Sequence, residues 1–239
     1  GEVTAQGGLY AAGIGGGNGG SGKVTIKNGK VTAKAVSYAA AIGGGSRGSG
    51  DVTILDGTVN ATPVDNRNDP VTGIGGAPNS TNKSTVRILG GVVAAVGGRY
   101  GSGIGGGKGG VEVEIGGGAQ VTAKGGKGGA YDGNTYGAGA AIGTNGEKGG
   151  KAGKEQDVNV SGGGTVTRID SNSPADHTHE WTLVSSTPAA VGQQGEKVYE
   201  CSSCDSTRTE YEPALPAPAE EEQNGRIVLR VIGAPYEMH

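Results

Sequence analysis

The feature that most constrains the fold is a repeat of about thirty residues. Each copy opens with a glycine-rich element built around one isoleucine, as in Gly13-Ile-Gly-Gly-Gly17. Repeats of this length in a fixed order are typical of solenoids, in which each copy packs only on its neighbours. The isoleucines lie at intervals of 28, 32, 30 and 38 residues and are Ile14, Ile42, Ile74, Ile104 and Ile142.

Two shorter elements follow the isoleucine in every copy. The second element begins as Val24-Thr-Ile26 and the third as Val31-Thr-Ala33. In both, apolar residues flank a residue that is usually polar, and this alternation predicts a short strand with one buried face. The first strand-like segment, Val3-Thr-Ala5, then belongs to the third element of a preceding copy. The second element recurs at 52–54, 86–88, 113–115 and 158–160, and the third at 59–61, 93–95, 121–123 and 166–168.

Three short strands per repeat favour an all-β fold in which each strand pairs with its equivalent one turn away. We therefore predict a parallel β-helix of about five coils, followed by a small β-rich module that contains a Cys-x-x-Cys motif. Because Asn28-Gly29 could also close an antiparallel hairpin, a β-prism or a stack of hairpins is the alternative. The valines, isoleucines and alanines should line the interior, and the glycines should form the corners, where positive φ is needed.

Composition supports a narrow core and excludes some functions. Glycine supplies 53 of the 239 residues, a content that without periodicity would predict disorder. There is no Phe and only one Trp, so the core must be built from Val, Ile and Ala. The net charge of −3, with both signs interspersed, does not resemble the basic surface of a nucleic-acid-binding protein. No apolar run reaches the roughly 18 residues of a membrane span.

One glycine-rich stretch resembles a nucleotide-binding loop but does not complete it. Residues 17–23 end in Gly22-Lys23, and a P-loop requires Ser or Thr next and then a helix. Here Val24 follows and begins a predicted strand. The recurring Asp of calcium-binding β-rolls and the regular Thr array of an ice-binding face are also missing.

Tyrosines recur at one place in the repeat. Tyr10, Tyr38 and Tyr100 each lie four residues before a first-element isoleucine, and Tyr136 lies six before Ile142. Tyr131 belongs to the same group of tyrosines but has no such spacing, and in stacked coils the group would form a partial aromatic column, with Tyr10, Tyr38, Tyr100 and Tyr136 as the candidate binding residues. Such a column could bind sugar rings or could simply cover the edge of the core. Three cations also fall near equivalent places and predict an exposed basic stripe: Lys34, Lys124 and Arg168.

An enzyme is the alternative to a binding scaffold, because polysaccharide lyases and glycosidases occur on parallel β-helices. Such an enzyme needs acidic or basic groups that cluster on one face. The candidates here are spread over several coils without an evident pair, which favours a solvated outer face and a non-catalytic protein. They are Asp51, Asp56, Arg87, Lys108, Glu112 and Glu114.

The C-terminal third carries a possible metal site. His177-x-His179 precedes Cys201-x-x-Cys204 by 21 residues. Two imidazole nitrogens and two thiolates would complete a tetrahedral zinc site, and a module of this size needs such a staple. A Cys201–Cys204 disulfide or two thiols are the alternatives. The sequence therefore predicts a structural zinc ion held by His177, His179, Cys201 and Cys204.

The change of composition near residue 170 predicts four segments. We expect a glycine-rich repeat domain at 1–170, a small His/Cys module at 171–213, a Pro/Glu-rich linker at 214–225, and a terminal strand or the start of a further domain at 226–239.

The motifs resemble those of two groups of bacterial proteins. The Gly-Ile-Gly-Gly-Gly, Val-Thr-Ile and Gly-x-Val-Thr-Ala pattern of 1–170 looks like the glycine-rich repeats of surface proteins and adhesins from Gram-positive gut bacteria. The segment His179-Glu-Trp181 with Cys201-Ser-Ser-Cys204 resembles a small module of clostridial surface proteins. The resemblance implies an extracellular, wall-associated or secreted multidomain protein, but it supplies no activity.

Taken together, the sequence predicts a non-catalytic cell-surface module that acts as an adhesin-type or structural scaffold. Its expected partner is a host or plant polysaccharide on an exposed β face, or a host surface protein. The alternative function is a carbohydrate-active enzyme of the β-helix type. We expect no nucleic acid partner and no membrane span in this segment.

Overall fold

The computed structural model describes residues 1–64, 69–169, 171, 179–217, 219–223 and 226–230. The described residues form strands and no helix, and most of the strands belong to three parallel sheets. The chain is therefore all-β, and its parallel sheets are compatible with a β-solenoid.

Each of the three sequence elements forms its own sheet. The first-element strands are β2 (Ile14–Gly15), β5 (Ala39–Gly43), β8 (Val71–Gly75), β11 (Ile104–Gly106) and β16 (Ile142–Thr144). The second-element strands are β3 (Gly22–Ile26), β6 (Gly50–Ile54), β9 (Ser84–Ile88), β12 (Val111–Gly116) and β17 (Val158–Ser161). The third-element strands are β1 (Glu2–Gln6), β4 (Lys30–Ala35), β7 (Thr58–Pro63), β10 (Val92–Val96), β13 (Gln120–Lys124) and β18 (Gly164–Ile169).

Each of these strands pairs in parallel with the equivalent strand of a neighbouring repeat. Ile14 pairs with Ile42, and Ile42 pairs with Ile74, despite the different lengths of the two intervals. Val3 pairs with Val31, so the first strand belongs to the third element, as predicted. The parallel pairing brings equivalent positions of successive repeats side by side. The observed pairs match the alignment of the repeats made from the sequence, which is therefore confirmed.

The core is a set of aliphatic ladders that run across the repeats. The inward residues of the middle repeats, such as Ile54 and Val86, have no exposed surface. Val158 and Val160 of the last repeat also pack against this core but are only partly buried, because β17 is the outermost strand of its sheet. The predicted interior positions are thus correct, and burial decreases at the end.

The prediction that the glycines form corners is wrong for one column of them. Gly43 and Gly75 lie inside strands β5 and β8, with φ of 130° and 123°. A Cβ on Gly75 would lie well inside 3.0 Å of the carbonyl oxygen of Gly105 in the next repeat. Glycine is needed here because successive backbones approach too closely for any side chain. The same approach to the next glycine recurs at Gly15, Gly43 and Gly105, and at Gly143, the last glycine of the column, a Cβ would meet the carbonyl oxygen of Lys154 instead.

The prediction of a basic stripe is also wrong, because Arg168 is shifted by one position. It pairs with Ala123 and so continues the column of inward-facing alanines, whereas Lys124 pairs with Ile169. The guanidinium of Arg168 lies 3.6 Å from the carboxylate of Glu155, and its side chain is mostly buried. An ion pair needs hydrogen-bonding partners rather than another layer of methyl groups, so the apolar interior ends here.

Three antiparallel strands extend the third sheet beyond β18. They are β19 (Trp181–Thr187), β20 (Gly195–Cys201) and β21 (Thr207–Glu212), and β21 pairs with β18. Two hairpins complete the described strands: β14 (Gly129–Tyr131) with β15 (Asn134–Tyr136), and β22 (Ala219–Gln223) with β23 (Arg226–Arg230). Strand β22 lies within the segment 214–225 that the sequence predicts to be a linker.

Candidate functional site

Five tyrosines form a continuous row outside the core, which we call the tyrosine row. The ring centroids of Tyr10 and Tyr38 are 6.2 Å apart, and those of Tyr38 and Tyr131 are also 6.2 Å apart. Tyr131 lies 5.9 Å from Tyr100, and Tyr136 stacks on Tyr100 at 4.3 Å with an angle of 14° between the planes. These spacings lie within or just below the range in which aromatic pairs attract each other.

The row is continuous because Tyr131 fills a gap. The third repeat has Pro70 where the second has Tyr38, since Ala39 pairs with Val71. Tyr131 comes from the β14–β15 hairpin inside the longest interval, and its hydroxyl donates to Asp69 Oδ1 at 3.5 Å. The sequence grouped Tyr131 with the other tyrosines, but it was not predicted as a binding residue because it lies outside the repeat frame. The only signal was the extra length of that interval.

Three tyrosines of the row have a backbone conformation that tyrosine rarely adopts. The φ angles are 66° at Tyr10, 50° at Tyr38 and 44° at Tyr100. For a residue with a Cβ, this left-handed region costs about 1–2 kcal/mol, whereas glycine enters it freely. A chain that uses glycine at most of its positive-φ positions therefore keeps tyrosine at three equivalent ones despite the strain. Such recurring strain is a signal of function.

Burial and hydrogen bonding raise the pKa of two hydroxyl groups of the row, those of Tyr100 and Tyr131. Burial raises the pKa of Tyr100, and a hydrogen bond with Tyr38 adds to the increase. The pKa of Tyr131 is raised first by its hydrogen bond with Tyr38 and then by burial. The guanidinium of Arg99 lies 5.6 Å from the centre of the Tyr131 ring and also donates to the Ala130 carbonyl. The row thus presents ring faces, phenolic donors and one cation.

The row ranges from exposed to buried. Tyr10 at one end is 43% exposed, and Tyr100 near the other end is only 5% exposed. Tyr38, Tyr131 and Tyr136 are intermediate. A ligand would therefore contact the rings mostly along their edges and outer faces, with Tyr100 supporting its neighbours from beneath.

The predicted metal ligands that the structure describes come together. The Nδ1 or Nε2 of His179 and the Sγ atoms of Cys201 and Cys204 lie within 4.8 Å of one another, and we call these three residues the metal group. The Cys204 Sγ to His179 Nδ1 distance is 3.6 Å. Zinc bonds of about 2.3 Å to sulfur and 2.0–2.1 Å to nitrogen, at a tetrahedral angle, place those ligand atoms about 3.6 Å apart. His177 lies outside the described residues.

Neighbouring groups orient the ligands of the metal group. The backbone N–H of Ser203 donates to Cys201 Sγ at 3.4 Å, and the Cys204 thiol donates to the Ser206 hydroxyl oxygen at 3.1 Å. The His179 ring stacks on Trp181 with centroids 4.8 Å apart. Contacts that fix the positions of the ligand atoms reduce the cost of binding a metal ion.

The acidic residues considered for catalysis are engaged elsewhere. The Glu112 carboxylate lies 2.9 Å from Lys83 Nζ, and a hydrogen bond from that ammonium group lowers the pKa of Glu112. Glu114 is 3.2 Å from Arg87, and Asp51 is 3.8 Å from Lys23. The Asp56 carboxylate accepts the Gly57 N–H in a turn. The three ion pairs link adjacent strands of the second-element sheet, so their residues serve pairing across its outer face.

Comparisons with protein-family models, with curated proteins and with solved structures return no match for this chain. The part of the chain that the structure describes contains no helix of the length and apolarity needed to span a bilayer.

Proposed function

We propose that this chain is a non-catalytic scaffold at a bacterial cell surface, of the adhesin or structural type, that binds polysaccharide along its tyrosine row. In this proposal the three sheets wind together as a parallel β-helix of about five coils. The rigid stack then holds the rings at fixed spacing. Its place of action is extracellular, as the sequence resemblance implies.

The observation that carries this proposal is the positive φ shared by Tyr10, Tyr38 and Tyr100. A structural role at that turn would be served better by glycine, which the chain uses at many similar positions. The property that these three positions share, and that glycine would not supply, is therefore the aromatic ring. A tyrosine offers an apolar face and a polar tip, which suits a sugar ring with C–H groups on its face and hydroxyls at its edge.

The test is a comparison of two variants that make the same kind of backbone change. Tyr38→Gly removes a ring from the middle of the row, and Arg47→Gly replaces another non-glycine residue of positive φ (65°) without removing a ring. Both should retain the circular dichroism of the wild type. We expect Tyr38→Gly to weaken polysaccharide binding on a glycan array by about 30-fold, the typical effect of a central aromatic residue, and Arg47→Gly to leave it near that of the wild type.

Three results would overturn the proposal. If Tyr38→Gly binds every retained glycan as tightly as the wild type, then the row is not the binding surface. If the wild type releases reducing or unsaturated sugars from pectin-like substrates, the enzyme alternative replaces the scaffold. Retention of a host surface protein, with no glycan, would assign the row to a protein partner instead.

We also propose that the metal group holds a structural zinc ion, with His177 as the predicted fourth ligand. The ligand set and the sulfur–nitrogen distance support zinc. Metal analysis of the purified chain tests this directly, with Cys201→Ser and Cys204→Ser as the variants that should lose the ion. Wild-type protein that contains no zinc and takes up none would refute it.

A further inference from the structure

We infer that the metal group is a staple that holds strands β19–β21 as a cap on the edge of the third sheet. This inference rests on the zinc proposal above and assigns the ion a task within the fold. Its consequence is that removal of the metal should uncover β18 while leaving the repeats intact.

The third sheet needs a cap because β18 is the last of its parallel strands. A terminal strand exposes a row of N–H and C=O groups that can pair with another chain. Strand β21 covers this row with five pairs, from Gly164 with Tyr211 to Arg168 with Thr207. The Tyr211 side chain also packs against the core, and its hydroxyl oxygen accepts a hydrogen bond from Arg168. The cap therefore closes both the sheet edge and the interior next to it.

The cap has little apolar core of its own to hold it together. Within the described part of 179–217, Cys201 is the only buried hydrophobic residue. Leu183, Val184 and Val191 are each about half exposed. A small antiparallel sheet without a buried apolar face is marginal in water. Another source of stability must therefore hold the three strands in place.

The metal group is placed to supply that stability, because it connects all three strands. His179 lies two residues before β19, Cys201 is the last residue of β20, and Cys204 lies in the turn that leads into β21. The backbone N–H of Ser202 donates to the Glu180 carbonyl at 3.0 Å across the same junction. Metal-binding free energy in such small modules acts as folding free energy. The stability of the pairing between β21 and β18 should therefore depend on whether the metal ion is bound.

The first sheet is covered at the same end without a metal. Its last strand, β16, is met by the chain at 153–156, where Gly143 bridges Glu155 and Thr144 N–H donates to the Lys154 carbonyl at 3.0 Å. The N–H groups of Ala141 and Ile142 donate to the Glu155 carboxylate at 2.5 and 3.1 Å. Loss of the ion should therefore act mainly on the third sheet.

The experiment measures amide hydrogen exchange by mass spectrometry on the full chain, loaded with zinc and then treated with a chelator. We expect chelation to speed exchange of β18 and of β19–β21 by about tenfold or more, since local opening governs such rates. Exchange of β7 and β10, inside the stack, should not change, and added zinc should restore protection. Cys204→Ser should behave as the chelated protein, and Ser202→Ala, whose side chain is exposed in the same turn, as the wild type.

The outcomes separate the two proposals. If the chain binds no zinc, both the zinc site and the cap are wrong. If it binds one ion that the chelator removes, but β18 exchanges at the same rate in both states, the site stands and the cap is refuted. If chelation speeds exchange in β7 and β10 as much as in β18, the ion supports the whole stack, and a local cap is again refuted.

Discussion

The glycine column of the first sheet makes a strong prediction about Gly75→Ala. The new Cβ would collide with the carbonyl oxygen of Gly105, and the φ of 123° is strained for alanine. Relief of the collision must move the backbone away from two bonds, Gly44 N–H to Gly75 O at 2.9 Å and Gly76 N–H to Gly105 O at 2.8 Å. Two backbone bonds of about 1 kcal/mol each and a strain of about 1–3 kcal/mol give a total loss of about 3–5 kcal/mol.

Gly118→Ala is the matched control. Gly118 also has a positive φ, of 69°, but a Cβ there would meet nothing within 4 Å. We expect this variant to lose only about 1 kcal/mol, from the left-handed backbone alone. Urea unfolding followed by far-ultraviolet circular dichroism measures both losses, and Trp181 fluorescence reports separately on the C-terminal strands. Equal losses in the two variants would show that backbone conformation, and not close stacking of the repeats, requires glycine in the column.

Three further substitutions test other features by the same unfolding measurement. Thr72→Val should gain about 1–2 kcal/mol, because Thr72 Oγ1 is buried without a hydrogen-bond partner among the described residues, and a loss would contradict this. Arg47→Gly should gain about 0.5–1 kcal/mol, the relief of its positive φ less the greater flexibility of glycine when unfolded, and an unchanged midpoint would argue against strain there. Ile88→Ala should lose about 2–5 kcal/mol because it leaves a cavity in a fully buried ladder, and a smaller loss would mean that the ladder collapses around it.

The pairing of the repeats was predictable because the sequence states it directly. Ile14 and Ile42 occupy one register position, as do Val3 and Val31. The choice of inward residues followed from the alternation of apolar and polar positions. Parallel pairing in register then requires no information beyond the order of the elements.

What the sequence did not reveal depends on contacts across the repeats. In the sequence Arg168 lies near the position equivalent to Lys34 and Lys124, but it pairs with Ala123 and so lies one residue earlier, in the inward-facing column. The role of the glycine column was missed because composition does not distinguish a corner from a close approach. Tyr131 was left out of the site because a hairpin in one repeat carries it to a gap in another.

The metal group was predicted from the types and spacing of its residues. The structure brings together three of the four predicted ligands, and His177 lies outside the described residues. The sequence did not indicate that Cys201 and Cys204 flank the turn between two strands that extend the third sheet. The position of the two cysteines beside the third sheet depends on the antiparallel pairing of β21 with β18. The repeat pattern, which predicts only parallel pairing, does not indicate it.

The way Tyr131 replaces a missing ring suggests how the outer surface of such a protein could diversify. A short hairpin in one repeat supplies the ring that a neighbouring repeat lacks. Binding along the row therefore does not require an aromatic residue in every repeat. The buried aliphatic ladders do not tolerate such changes, because each side chain there packs against fixed neighbours. Related proteins could therefore change what the tyrosine row binds by gaining or losing loops, while the sheets and their buried ladders stay the same.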